Sequence, residues 1–250
     1  VSIGSRAFQY CAQLSSIEVP NSVREIGDEA FDCCCKLTSI TIPGSVEKLG
    51  ANPFSACYSL SEVRVVGEGE NLKMVDGVLF NGDMTRLIWC SLEKSGSYTI
   101  PKTIKTIDSY AFNSCNELAS ITLPDSITEI NDGVFRNCSG LETFTIPRSV
   151  TSIGNDAFSY CYSLKSVVIP DSVSSIGGEA FSWCKGLVTV TIPSSVTVIS
   201  RSLFFNCTGL TSVTIPNSVT EIGFGAFDSC SGLTSIVIPD SVTKIGDSAF

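Results

Sequence analysis

The chain contains no histidine, which removes Ser–His and Cys–His nucleophile pairs and imidazole metal sites together. No apolar run reaches the roughly 18 residues needed to span a bilayer, so no membrane insertion is expected in this segment. The net charge is −9 and the sixteen Lys and Arg are scattered, which argues against nucleic acid or an anionic membrane as the main partner, since both need clustered cations. C-x-x-C metal spacing and phosphate-binding loops are missing. Asp125, Asp171 and Asp240 each follow a proline, but Arg148, Ser194 and Asn217 hold the same place between them, so no acidic ladder for calcium forms. The other carboxylates occupy variable turn and surface positions and read as solvated charge. No cofactor, no metal and no catalytic residues are expected, and the chain is read as non-enzymatic.

What is present is a repeat. Prolines stand at 101, 124, 147, 170, 193, 216 and 239, a period of 23, and units of that length bury their apolar faces only by stacking. Residues 1–250 are therefore read as a single repeat domain. The step from Pro43 to Pro101 is 58, which places twelve additional residues in one enlarged repeat at 60–94. The chain opens and stops partway through a unit, and is read as a fragment of a longer protein.

Within each unit the apolar positions read L-x-x-I-x-I-P-x-S-V-x-x-I-G-x-x-A-F-x-x-C. Alternation such as Ile40-Thr-Ile42 marks a strand with β-branched residues pointing inward, and the following proline ends it because it has no N–H for a ladder. Asn or Asp with Ser makes a polar turn. Gly27, Gly154, Gly177, Gly223 and Gly246 come next after an Ile, replaced by Asp108 and Asn131 in two copies, which suggests a left-handed backbone there. Ala-Phe-x-x-Cys has helical spacing and predicts one short helical or 3₁₀ turn. Stacking predicts one parallel sheet of about ten strands and one continuous phenylalanine column from Phe8 to Phe250.

The unit, as in Leu233-Thr-Ser-Ile-Val-Ile-Pro-Asp-Ser-Val-Thr-Lys-Ile-Gly-Asp-Ser-Ala-Phe250, resembles the leucine-rich repeats of BspA-like surface proteins over all but the middle of the enlarged repeat. The resemblance implies an α/β repeat solenoid: a right-handed horseshoe with a parallel sheet on the concave face and short helical or 3₁₀ turns on the convex side. It also implies an extracellular or cell-surface adhesion role. A ligand does not follow from it, because fold does not set function.

Nine of the twelve cysteines, from Cys11 to Cys230, share one repeat position and read as small buried core groups rather than a disulfide framework, although neighbouring coils could approach disulfide distance. Cys33, Cys35 and Cys90 lie off register and are the better candidates for exposure or pairing. Asn137-Cys-Ser and Asn206-Cys-Thr fit the N-glycosylation pattern but straddle the cysteine column and read as by-products of the repeat. In the enlarged repeat, Val78 to Phe80 and Leu87 to Trp89 flank Asn81-Gly-Asp83, a hairpin signal. That hairpin either closes the convex side or serves as a recognition element.

Two places offer themselves to a partner. Met84 and Arg86 on the hairpin are residue types enriched at interfaces and are expected to be exposed, with Glu62 and Arg64 on an adjoining strand setting orientation. The outward columns of the sheet, Ser16 to Ser235 and Thr41 to Thr214 including Thr122, Thr145 and Thr191, form a hydroxyl face. It is read as small residues tolerating a crowded curve, as a surface for a protein or glycan ligand, or more remotely as an ice-binding array. Tyr160 and Trp183 share a further column near the cysteines. The chain is read as a monomeric, secreted or cell-surface binding module, with a structural spacer as the alternative.

Overall fold

The computed structural model describes residues 1–67 and 69–250. Each unit forms one coil carrying a longer and a shorter strand. The longer strands, such as Thr143–Thr145, Ser166–Val168, Thr189–Thr191 and Ser212–Thr214, pair in parallel with the 23-residue register, Thr143 against Ser166 and Thr189 against Ser212. Their central residues, Phe144, Val167, Val190 and Val213, are buried, as the alternation predicts. The shorter strands are two residues long, as in Glu25–Ile26, Ser152–Ile153 and Ser175–Ile176, and bury the Ile that precedes the glycine position. The expected single sheet of longer strands is broken into three, of three, two and four strands. One break falls at the enlarged repeat.

The helical turn predicted at Ala-Phe-x-x-Cys is not found, and no described residue is helical. Two backbone positions in each unit are left-handed, for example Asp156 (φ 54°) and Tyr160 (φ 64°), or Glu179 (φ 60°) and Trp183 (φ 61°), so a right-handed run never grows beyond three residues. Alternate amides consequently serve different coils. Those of Asp156, Phe158 and Tyr160 donate to Gly178, Ala180 and Ser182 of the next coil at 2.8–3.0 Å, while those of Ser159 and Cys161 close turns onto Asp156 and Phe158. A left-handed non-glycine residue costs roughly 1–2 kcal/mol, and the inter-coil ladder offsets it.

The glycine after each Ile is also explained differently from expectation. Gly27, Gly154, Gly177, Gly223 and Gly246 do not have positive φ, and neither do Asp108 and Asn131. Instead, a Cβ on Gly27 would lie 2.3 Å from the Ser5 backbone nitrogen, and one on Gly177 2.5 Å from that of Asn155. Glycine here permits close approach of successive backbones, which lets Gly154 N–H donate to Ile130 and Gly177 N–H to Ile153. Where a side chain occupies the position, it takes over the contact. Asn131 Nδ2 donates to Ile107 O at 2.7 Å and Ser200 Oγ to Ile176 O at 2.5 Å.

Phenylalanine rings stack along the core with centroids 5.2–5.8 Å apart from Phe112 to Phe250, and Phe8, Phe31 and Phe54 form a second stack. The predicted single column is thus two columns. All twelve cysteines are unpaired thiols. Of the nine at the repeat position, eight are buried and Cys11 is exposed. The buried thiols have a polar role as well as an apolar one: Cys138, Cys161, Cys184 and Cys207 each donate from Sγ to the carbonyl of the phenylalanine one coil back, at 3.1–3.2 Å. Burial pushes the Cys161 thiol up to about 12 and the Cys230 thiol up to about 11, from an ordinary 9.0, and raises Cys138 and Cys184 as well.

The enlarged repeat divides the core. Its strands Leu72–Val75, Val78–Asn81 and Arg86–Cys90 form an antiparallel meander, and the last pairs in parallel with Thr106–Ile107. The Asn81-Gly-Asp83 signal correctly marks the turn between the second and third, whereas Leu72–Val75 is an additional strand. A bulge at Leu79/Phe80 lets Leu79, Ile88 and Trp89 pack with Phe54 and Val63 on one side, while Val78, Phe80, Leu87 and Cys90 pack with Ile107 and Phe112 on the other. The hairpin is therefore a wall buried on both faces. Cys90, expected to be exposed or paired, is buried in it, and its N–H donates to Ala111 O at 2.8 Å, as phenylalanine amides do in regular coils.

Arg86, expected at the surface, seals the join between this wall and its neighbours. Its Nε and Nη2 meet Asp108 Oδ1 and Oδ2 at 2.7 and 2.6 Å, Nη1 donates to Leu49 O at 2.8 Å, and Nη2 reaches Gly50 O. The guanidinium thus occupies the Leu49 carbonyl, a position that the next coil's amide serves elsewhere, as Gly177 N–H serves Ile153 O, and the Gly50 carbonyl, a position that an amide of the same coil serves elsewhere, as Ala226 N–H serves Gly223 O. Asn52 completes the join, its N–H donating to Asp108 Oδ2 and its Oδ1 accepting from Ser109 N–H. Burial pushes the Asp108 carboxyl up and Arg86 pulls it back. Met84 is also not free: it is half-buried against the core.

Arg86→Ala leaves the buried Asp108 carboxylate without its countercharge, with only the Asn52 N–H still donating to it, and two carbonyls without donors, so it should cost about 3–5 kcal/mol in chemical denaturation. Arg86→Lys should recover only part, because an ammonium cannot reproduce the fork. Loss of under 0.5 kcal/mol in Arg86→Ala would refute the sealing role.

The thiols predict an alkaline limit. Because their folded pKa values lie above the unfolded 9.0, their contribution is complete below about pH 9 and is lost as pH rises toward 11–12, at up to about 1.4 kcal/mol per pH unit for each thiol. Cys161→Ala/Cys184→Ala should therefore show a shallower fall in denaturation midpoint between pH 9 and 10.5 than the parent chain. Native thiol labelling should reach Cys11, Cys33 and Cys35, and denaturation without reductant should expose all twelve.

Candidate binding surfaces

The outward positions of the longer strands are where the alternation leaves side chains in solvent. Thr122, Thr145 and Thr191 are all exposed. Thr122 stands beside Thr99, and Thr191 beside Thr214, in direct register. Val168 lies between Thr145 and Thr191 and is 73% exposed, and Val237, which follows Thr214 in the same column, is 81% exposed, so apolar steps interrupt the hydroxyls. Thr122 belongs to a different sheet from the other two. At the amino-terminal end the same face becomes charged: Glu62 and Arg64, on strand Glu62–Val66, pair with each other at 2.7 Å. That pair is largely solvated, so its stabilising effect is small. Met84 and Arg86 do not join this surface.

A second surface lies along the turn segments. Tyr160 and Trp183, at successive left-handed positions, stack with centroids 5.7 Å apart and planes 14° apart. The Arg136 guanidinium lies between Tyr58 and Tyr160, 4.8 and 4.9 Å from their ring centroids. Lys185 Nζ lies 5.0 Å from the Trp183 ring and 5.7 Å from that of Tyr162. Burial raises the Tyr58 hydroxyl pKa, with Arg136 opposing it; burial also raises the Asp156 carboxyl, helped by Glu179 and opposed by Arg136.

The repeat pattern exposed the Tyr160–Trp183 column but not the rest of this line. Tyr58, Tyr162 and Lys185 each follow the repeat cysteine, and Arg136 stands one place before the Tyr160–Trp183 position, so the line draws on three repeat positions. Tyr58 is brought alongside only because the enlarged repeat folds inward, setting it 6.2 Å from Tyr110 across 52 positions of sequence.

Among the described residues no cluster of three or more His, Cys, Asp or Glu has the placement to hold a metal. No helix is long and apolar enough to cross a membrane.

Comparison with known proteins agrees with this architecture. The BspA type leucine-rich repeat region matches in six copies, over residues 1–94, 84–208 and 151–250. No curated protein matches the chain. Among solved structures, a leucine-rich repeat protein from Eubacterium ventriosum superposes with a TM-score of 0.76 at 26% identity, covering 100% of this chain and 79% of that one. A leucine-rich cell surface protein from Faecalibacterium prausnitzii is 28% identical with a TM-score of 0.56, over 100% and 73% of the two chains. A leucine-rich repeat protein from Bacteroides ovatus is 30% identical with a TM-score of 0.53, over 100% and 67%. Twenty-three-residue coils, a parallel-strand solenoid and a match along the whole length place the chain in the BspA-type leucine-rich repeat family.

Proposed function

We propose that the chain is a non-enzymatic interaction module of a secreted or cell-surface protein, and that it presents its longer-strand sheet to a protein or glycan ligand. The observation that carries this reading is the exposed, uncharged column of Thr122, Thr145, Val168, Thr191 and Thr214. Adjacent hydroxyls such as those of Thr191 and Thr214, held about 4.8 Å apart by the strand spacing, supply closely placed donors and acceptors, and a rigid solenoid fixes them before binding, which lowers the ordering cost of association. Likeness to a cell surface protein from Faecalibacterium prausnitzii supports the location. Burial of most of the thiols, and the lack of histidine, leave the chemistry of this face to hydrogen bonding and contact.

Residues 1–250 immobilised and screened against matrix proteins and glycans should show saturable binding. Thr145→Arg and Thr191→Arg, which add bulk and charge to the column without entering the core, should each weaken it at least tenfold with an unchanged melting temperature. Glu62→Ala and Arg64→Ala should mainly alter its salt dependence. Binding to nothing on a broad panel would favour a structural spacer, and turnover abolished by one Asp or Glu substitution would favour an enzyme.

A further inference from the structure

Among the buried thiols at the repeat position, from Cys34 to Cys230, all but one donate to the carbonyl of the phenylalanine one coil back, at 3.0–3.2 Å. Cys115 is the exception. The coil before it is the enlarged repeat, which has Cys90 where a phenylalanine stands elsewhere: Cys90 N–H donates to Ala111 O as Phe158 N–H donates to Ala180 O. The Cys115 sulfur consequently lies 3.9 Å from Cys90 O and 3.5 Å from Ser91 O, farther than in any regular coil.

Cys90 brings a second sulfur to the same place. Its Sγ lies 3.7 Å from the Ser91 carbonyl oxygen, which Cys115 Sγ also faces, and the two thiols are hydrogen-bond partners of one another. Both are buried, and both belong to the interior that contains Phe112. Elsewhere in the column each sulfur is held on its own carbonyl, and successive carbonyls are one coil apart, roughly 4.8 Å by the strand spacing. A disulfide needs its sulfurs about 2 Å and its Cβ atoms about 3.8 Å apart, so the ladder keeps regular neighbours out of bonding range. Cys90 and Cys115 converge instead, because one sits at the position of a ring and the other at the position of a thiol.

We infer that Cys90 and Cys115 are a site of disulfide formation, which ties the enlarged repeat covalently to the coil that follows it. The reaction is thiol–disulfide exchange with a small-molecule disulfide. One protein thiolate attacks that disulfide and releases one thiolate, and the second protein thiolate displaces the other. The two protons lost by the cysteines pass to the departing thiolates, so one protein disulfide and two small-molecule thiols result. Burial of the pair places this exchange in the assembly or opening of the coils rather than on the folded surface. A secreted or cell-surface setting supplies oxidants of this class. The bond joins residues 25 apart in sequence and restricts the unfolded chain accordingly.

The test uses the full 250-residue chain, unfolded under reduction, refolded by dilution into oxidised and reduced glutathione, then unfolded again without reductant and alkylated. Ten of the twelve cysteines should be alkylated, and protease digestion should give one peptide pair joined through Cys90 and Cys115. The same chain refolded under reduction should be alkylated at all twelve. The oxidised form should melt at least ~3 °C above the reduced one, as closing a loop of this length predicts. That difference should vanish in Cys90→Ala and in Cys115→Ala, whereas Cys161→Ala, which removes a regular thiol, should keep the joined peptides. The linkage is read in the parent chain and does not depend on the variants folding. Twelve alkylated cysteines after oxidative refolding, a dominant linkage between any other two, or equal melting of the oxidised and reduced parent would each overturn the inference.

Discussion

Successive coils hold together through amides that point along the stack, and the two left-handed positions in each turn segment are what make those amides available. At Asp156 and Tyr160, at Glu179 and Trp183, the backbone is bent out of the right-handed region so that every second N–H leaves its own coil for the next one. A helix would spend all of those donors internally. The close approach that follows leaves no room for a side chain after the Ile of the shorter strand, so glycine, or a residue that can itself bond the neighbouring carbonyl, stands there. The thiol of each buried cysteine reaches back by the same logic, since its phenylalanine carbonyl acceptor lies one coil away. Side chain, turn and strand are all set by the need to satisfy one coil from another.

The enlarged repeat keeps this scheme while interrupting it. Strand Arg86–Cys90 continues the stack in one direction through Thr106–Ile107, but the preceding coil ends with carbonyls at Leu49 and Gly50 that no amide of the described residues meets. A guanidinium is suited to the gap because its fork can serve two carbonyls and a carboxylate at once. Neighbouring Asp108, the one acidic residue at a glycine position, supplies the countercharge.

Much of the architecture is legible in the repeat itself. Strand position, inward alternation, the proline stop, the phenylalanine spacing and the hairpin turn all follow from local periodicity and turn chemistry. The helical turn was legible only as an apolar spacing of three and four residues, and that spacing is shared by a series of tight turns in which apolar groups face inward. Backbone φ at Cys33 or Trp183 leaves no residue-type signal, because those positions accept Cys, Trp, Tyr, Ser and Asn alike. Arg86 was misplaced for a different reason: an arginine on a hairpin has the same letter whether it faces water or an Asp 22 residues away. Partner surfaces are the least legible part, since Tyr58 joins Arg136 and Tyr160 only after an insertion has been folded away.

The wall formed by the hairpin gives the solenoid two separate hydrophobic interiors, one containing Phe54 and the other Phe112. In an uninterrupted array, fraying that starts at one end meets the same coil-to-coil interface at every step and can travel the full length. Here it meets a boundary where side chains from a single strand pair belong to both interiors and an ion pair spans the gap. The enlarged repeat therefore stands as a bulkhead between two interiors, so the coil-to-coil interface that fraying would have to cross there differs in kind from every other in the stack.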